Sequence, residues 1–281
     1  MALAAAVVAA AVLRPPGRSS TATGGDYLAL GDSIAFGYLP PDATTPPDYR
    51  RPATLTSYVD DVAEARHYRV TNPSCPGETT GSMLAVDAVS NGCENSLGRP
   101  GGYRTAWPLH VEYRGSQQAF AVRFLRSHPA TRLVTLTIGA NDAFVCEQIT
   151  ADHCAGAAER AAVVSEVDQG VGRILAGLRS DGRYRGPLLV VSDAAPDYSE
   201  PEMVAWAPSI DAAIARAAER NGALVADGLR AFAVAAGPVD GPCRAGLLAR
   251  RTRGGCDIHP SAAGHAVLAR AAEAALDAGH P

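Results

Sequence analysis

The chain has 281 residues, 47% of them hydrophobic and 19% charged, enough to bury a full core in one domain and too apolar for a disordered chain. A formal net charge of -4, a pI near 6.0 and the lack of any Arg cluster leave no footprint for nucleic acid or for an anionic membrane surface. The expected partner is a small molecule, and the all-Arg, Lys-free basic set is a compositional bias from which no function follows.

Residues 2–13 form an apolar run of signal-peptide length, too short to span a bilayer, followed by a polar linker with Pro and Gly. No basic residue precedes the run, so a buried or disordered extension is the other reading. The expectation is an exported, monomeric protein with leader and linker in residues 1–25, one folded domain in 26–281, and no membrane span in the mature chain.

Beyond the linker, short apolar runs alternate with helical stretches, as in a parallel sheet with helical crossovers. Strands are predicted at 27–30, 68–71, 133–138, 188–191 and 224–226, mostly continuous apolar runs of the kind covered on both faces. Helices are predicted at 54–66, 116–127, 157–179, 209–221 and 261–278, with Ser116 as an N-cap, Asn221-Gly222 as a stop, and Pro260-Ser261 as the last start. Residues 38–52 and 91–115, rich in Pro, Gly and Arg, read as surface loops that shape access to the strand ends.

Three segments fall just past predicted strands, where ligands bind in such folds: Gly31-Asp32-Ser33, Cys75-Pro76-Gly77 and Gly139-Ala140-Asn141. A serine hydroxyl needs a base within hydrogen-bond reach and donors for the oxyanion formed on attack. Ser33, at a strand-to-helix turn, suits the nucleophile, although Gly-Asp-Ser alone is more often an ordinary capped turn. His259, read as a loop residue before a helix, suits the base. His67, His110, His128 and His153 show no nearby partners, and His265 is expected to pack or bond locally. The Asn141 amide and the Gly77 N–H suit the oxyanion, the alternatives being an Asx turn and a plain turn glycine.

The six cysteines, without a Cys-x-x-Cys pair, suit disulfides of an exported protein. Sequence neighbours suggest Cys75 with Cys93, Cys146 with Cys154, and Cys243 with Cys256. A zinc site at Asp152, His153 and Cys154 is a weaker alternative, because adjacent ligands make poor tetrahedral geometry.

Taken together, Leu30-Gly-Asp-Ser33, Cys75-Pro-Gly77, Gly139-Ala-Asn141-Asp142 and Asp257-Ile-His259-Pro260, in that order, resemble the four blocks of the SGNH hydrolases, the GDSL lipase and esterase family. The cysteines and leader-like start resemble its secreted actinobacterial lipases and esterases most. The resemblance implies an α/β, three-layer flavodoxin-like fold with a central parallel five-stranded sheet, and no metal or cofactor. Ser33 is then the nucleophile, His259 the base, and Ser33 N–H, Gly77 N–H and Asn141 the oxyanion hole. The implied substrate is a small-molecule or lipid ester, most simply a fatty-acyl one. An acyltransferase, a carbohydrate acetyl esterase and a non-catalytic binding protein are the alternatives. One departure stands out: the family's usual Asp lies three residues before the His, whereas here that position is Cys256 and Asp257 is two residues away. Either the Asp257 carboxylate or its backbone carbonyl is then left to orient His259.

Overall fold

The computed structural model describes residues 24–192 and 201–279, so the predicted leader and most of the linker lie outside the described residues. Along the chain run β1 (Asp26–Gly31), α1 (Ser33–Phe36), a 3₁₀ turn (Pro52–Thr54), α2 (Tyr58–Arg66), β2 (Arg69–Thr71) and α3 (Thr80–Leu84). There follow β3 (Asn95–Ser96), β4 (Arg99–Pro100), α4 (Tyr103–Ala106), α5 (Gln117–Ser127), β5 (Leu133–Thr137), α6 (Ala140–Ile149) and α7 (Ala157–Ser180). The last third holds β6 (Leu188–Val191), α8 (Pro201–Arg220), β7 (Leu224–Ala226), α9 (Gly228–Arg244), β8 (Leu248–Arg250), β9 (Cys256–Pro260) and α10 (Ala262–Ala278).

The five predicted strands form one parallel sheet in the order β2-β1-β5-β6-β7. The central strands β1, β5 and β6 are buried almost throughout, whereas edge strand β2 exposes Arg69, which explains the continuous apolar runs of the middle and the weaker pattern at the rim. Alternation along the strands divides the core in two. Leu28, Leu30, Val134, Leu136 and Val190 face one layer with α5, α7 and α8, while Tyr27, Ala29, Leu189 and Val191 face α2 and α10. Two threonines of β5 on the second side are satisfied by tyrosines, Thr135 by Tyr27 at 2.8 Å and Thr137 by Tyr58 at 2.7 Å. The outcome is the three-layer α/β architecture expected.

Ser116 accepts from Ala119 N–H and Ser261 from Gly264 N–H, so both predicted caps operate, but Pro260 closes β9 rather than opening α10. Helix α8 begins earlier than the predicted 209 and runs through Pro208. The residues past Gly139, for which the sequence predicts no helix, continue as α6, which begins the crossover from β5 to the parallel β6. The loop expected to carry His259 is instead the antiparallel hairpin β8–β9. Residues 38–52 and 91–115 are more than surface loops: Phe36, Tyr103, Leu109 and Tyr113 pack around Cys75 and Cys93 in a third apolar cluster, with Tyr38, Tyr49 and Trp107 against it. Among the described residues no helix is long and apolar enough to cross a membrane.

Candidate active site

Strand β1 ends at Gly31, whose φ of +135° and whose place 2.0 Å, from a built Cβ, to Thr137 O leave no room for a side chain. The chain turns there, Asp32 caps α1 by accepting from Ile34 N–H at 3.0 Å, and Ser33 becomes the first residue of the helix. N–H groups in that first turn have no intrahelical acceptor. The segment after β2 stays bonded to the same strand end through Cys75 N–H to Gly31 O at 3.0 Å, which brings Gly77 alongside. Gly77 has φ +84°, and a Cβ on it would meet Asn91 O at 2.3 Å, so this position too accepts only glycine.

Asn141 stands in the first turn of α6, past β5, and is 6% exposed. Its Oδ1 accepts from Asn91 Nδ2 at 2.8 Å, and its Nδ2 donates to Asp32 Oδ2 at 3.4 Å. With the oxygen taken, the amide is turned so that its second N–H is the group left over. Gln148 in turn donates to Asn91 Oδ1 at 2.9 Å.

His259 arrives from the far end of the chain. Its Nε2 lies 2.9 Å from Ser33 Oγ, across 226 positions of sequence. Its Nδ1 is bonded to Asp257 Oδ1, which also accepts from the His259 backbone N–H at 3.1 Å. Of the two groups the sequence leaves open, the carboxylate is therefore the one on Nδ1. The reason is the hairpin: in a strand, residues i and i+2 share a face, so Asp257 and His259 stand side by side, which a spacing of three would not achieve in β9. Burial raises the Asp257 pKa, but the bonds from His259 and from Arg251 outweigh it and hold the carboxyl down at about 2. Tyr38 packs edge-on against the imidazole at 4.8 Å between centroids.

Ser33, Gly77, Asn141 and His259 all line one cavity of about 330 Å³. Phe144, Ile210 and Ile214 make part of its lining apolar, and two further lining residues, Trp206 and Asp211, have Nε1 and Oδ1 buried without a hydrogen-bond partner among the described residues. Desolvation by burial lifts the Asp211 carboxyl to about 6.

Sequence reasoning passed over the polar layer beneath the site. Gln117 clamps Gly31 with both ends of its amide, accepting from Gly31 N–H at 2.7 Å and donating to Gly31 O at 2.9 Å. Glu78, adjoining Gly77, fixes that amide by accepting from Gln117 Nε2 at 2.9 Å. Asp142, adjoining Asn141, accepts from Thr80 N–H at 3.0 Å and from Thr80 Oγ1 at 2.6 Å. Burial pushes both Glu78 and Asp142 up to about 7. Their signal was acidic residues flanking site motifs in apolar surroundings; Gln117 offered none.

The three expected disulfides, Cys75–Cys93, Cys146–Cys154 and Cys243–Cys256, are all formed. Cys154 thus offers no thiolate, which removes the zinc alternative with Asp152 and His153. Likewise Glu78 between Cys75 and Cys93 is no metal site, since both sulfurs are bonded to each other. His265 does not bond locally: buried in α10, its Nδ1 accepts from Tyr58 N–H at 3.2 Å, at the start of α2. Burial, and then the neighbouring His259, push its pKa down to about 3, so it is a neutral acceptor. His110 also has a partner, Phe36 O at 2.9 Å, while His128 and His153 bond carbonyls of Phe124 and Glu147.

Comparison with solved structures finds the same architecture in several enzymes. An α/β hydrolase enzyme, LAE5, from the metagenome of Lake Arreo, Spain, superposes with a TM-score of 0.55 at 18% identity, covering 93% of this chain and 99% of its own. The extracellular lipase of Streptomyces rimosus gives 0.55 at 20% identity over 89% and 99%, and the acetylxylan esterase Axe2 of Geobacillus stearothermophilus 0.52 at 17% over 90% and 94%. Among curated proteins none matches. At the level of sequence, the model of the GDSL-like Lipase/Acylhydrolase family matches residues 29–267, most of the chain and all four motif segments, and the protein therefore belongs to that family as a carboxylic ester hydrolase.

Proposed function

We propose that the protein is a secreted ester hydrolase that works through an acyl-enzyme on Ser33. The observation that carries this reading is the hydrogen-bonded line from Asp257 through His259 to Ser33 Oγ, opening on a cavity that also holds Gly77 and Asn141. For Nε2 to accept the serine proton, Nδ1 must carry the hydrogen bonded to Asp257, and the depressed carboxyl is ionised to receive it. Ser33 Oγ attacks the ester carbonyl carbon as its proton passes to Nε2. The oxyanion is received by the N–H groups of Ser33 and Gly77 and by Asn141 Nδ2. Collapse breaks the bond to the alcohol, which takes the proton from Nε2; a water then repeats the sequence on the acyl-enzyme and frees the acid.

The apolar lining of Phe144, Ile210 and Ile214 supports a fatty-acyl substrate. A second reading, deacetylation of a carbohydrate, is favoured by Trp206 Nε1 and Asp211 Oδ1, two polar atoms on lining residues that have no hydrogen-bond partner among the described residues and suit a hydroxylated alcohol, and by the likeness to an acetylxylan esterase. Three disulfides and the leader-like apolar run support export.

The test pairs wild type with Ser33→Ala against a fluorophosphonate probe, nitrophenyl esters from acetate to palmitate, and acetylated xylooligosaccharides. Labelling and hydrolysis are expected to vanish together in the variant; a folded Ser33→Ala protein with full activity removes the proposal. A rate that climbs with chain length selects the fatty-acyl reading, and one confined to acetyl groups on sugar selects the other.

A further inference from the structure

Asp257 has a second carboxylate oxygen, and it is not free. While Oδ1 faces His259, Oδ2 is bonded to Arg251 Nη2. The torsion that turns an Asp carboxylate is broad, so packing alone defines its plane loosely. A guanidinium on one oxygen, together with two N–H groups of His259 on the other, leaves a single orientation in which Oδ1 points at Nδ1.

Arg251 is itself built into place. It sits at the turn of the β8–β9 hairpin, with its N–H on Gly255 O at 3.2 Å and its carbonyl accepting from Gly254 N–H at 3.1 Å. From outside the hairpin, Ala43 bridges to Arg251 as an isolated antiparallel pair, Thr252 N–H donates to Asp42 O at 2.8 Å, and Asp42 Oδ2 lies 3.6 Å from Arg251 Nη1. The segment that supplies these contacts follows directly from Ser33 through α1, and its Tyr38 also packs on the His259 ring. One stretch of chain thus carries the Ser33 hydroxyl, flanks the imidazole and buttresses the residue behind the carboxylate.

We infer that Arg251 is a positioning residue for catalysis, acting through Asp257 to hold His259 in line with Ser33. The inference rests on the proposed triad and extends it by a fourth side chain. It also fits the shortened Asp-x-His spacing: where Asp257 and His259 stand side by side on β9, the second carboxylate oxygen is braced from the hairpin's own turn. Arg251 is 43% exposed in its side chain, so the pair is screened, and its effect is on geometry rather than on global stability.

The experiment is a double-mutant cycle on the full chain with a nitrophenyl ester: wild type, Arg251→Gln, Asp257→Asn and the double variant, with Arg251→Lys as a rescue and thermal melts on each. Arg251→Gln is expected to lower kcat about tenfold or more with little change in KM, and Arg251→Lys to recover part of the loss. In the Asp257→Asn background the same replacement is expected to change kcat by no more than about twofold, since the group it positions is gone. An unchanged kcat in Arg251→Gln, a loss confined to KM, a full additional loss in the Asp257→Asn background, or an Asp257→Asn variant as active as wild type would each overturn the inference. Failure of the serine acyl-enzyme reading itself is separate, because it would show as activity in Ser33→Ala.

Discussion

A side chain in this site works through the groups that constrain it. Asn141 offers one amide hydrogen because Asn91 and Asp32 engage the rest of the group, so Asn141→Ala is expected to cost about 100- to 1000-fold in kcat. Steady-state kinetics on a short ester measure this, and a loss seen only in KM would remove Asn141 from the oxyanion hole. For Asp257 the carboxylate, not the carbonyl, is on Nδ1, and Asp257→Asn is expected to lower kcat by roughly 10⁴-fold, since an amide can leave the wrong imidazole tautomer facing Ser33. A variant within a factor of a few of wild type would return the orienting role to the backbone. At this scale Ser33, Asn141 and His259 were legible because each stands in a short motif, and Asp257 was legible as a candidate but not in its mode. Gln117 was invisible, since nothing local ties a helix-start glutamine to a glycine 86 positions away.

Strands, helices and hairpins decide how far those side chains can drift. Hairpin β8–β9 lies apart from the main sheet and is held to α9 by Cys243–Cys256, next to Asp257 in sequence. That disulfide closes a separation of 13 residues, which in the chain-entropy estimate stabilises by about 3 kcal/mol. Replacing both cysteines by Ser is expected to lower the denaturation midpoint accordingly and to lower kcat as His259 loses its anchor, read from urea unfolding and kinetics on the same sample. Full activity in the Ser pair would mean that β9 is positioned by α10 and the 38–44 segment alone. The strands of the main sheet were readable from their apolar runs; the hairpin was not, because Arg250, Arg251 and Arg253 break any alternating pattern and two successive glycines read as loop. Helix α6 escaped for a related reason, its first turn being occupied by the very residues that read as a site.

For the molecule as a whole, the layer of carboxyl groups beneath the site couples folding to pH. Glu78 and Asp142 hold their protons up to about 7 in the native chain, chiefly through burial, against about 4 when unfolded. Native chains therefore bind more protons in that window, and this contribution is full below about pH 4 and is lost as pH rises through about 7. Asp257, held down at about 2, contributes in the opposite sense: its share is present above the ordinary carboxyl value and is lost as pH falls toward 2. His265, held down at about 3, opposes the loss from Glu78 and Asp142 below about pH 6.5, but it is one group against two. Melting temperatures measured from about pH 4 to 8 are therefore expected to fall toward the alkaline end, and Asp142→Asn to flatten the fall. An unchanged slope in that variant would assign the dependence elsewhere. By itself, the sequence determined the α/β class, the order of the parallel strands along the chain and the four segments that meet in the site, and it suggested the three cysteine pairs, because apolar runs, neighbouring cysteines and short motifs are local properties. Only the tertiary structure decided which atoms touch. The Arg251 bond to Asp257, the Gln117 clamp on Gly31 and the Asp142 tie to Thr80 join residues whose proximity depends on how layers pack and on where a hairpin projects, and no local pattern encodes that distance.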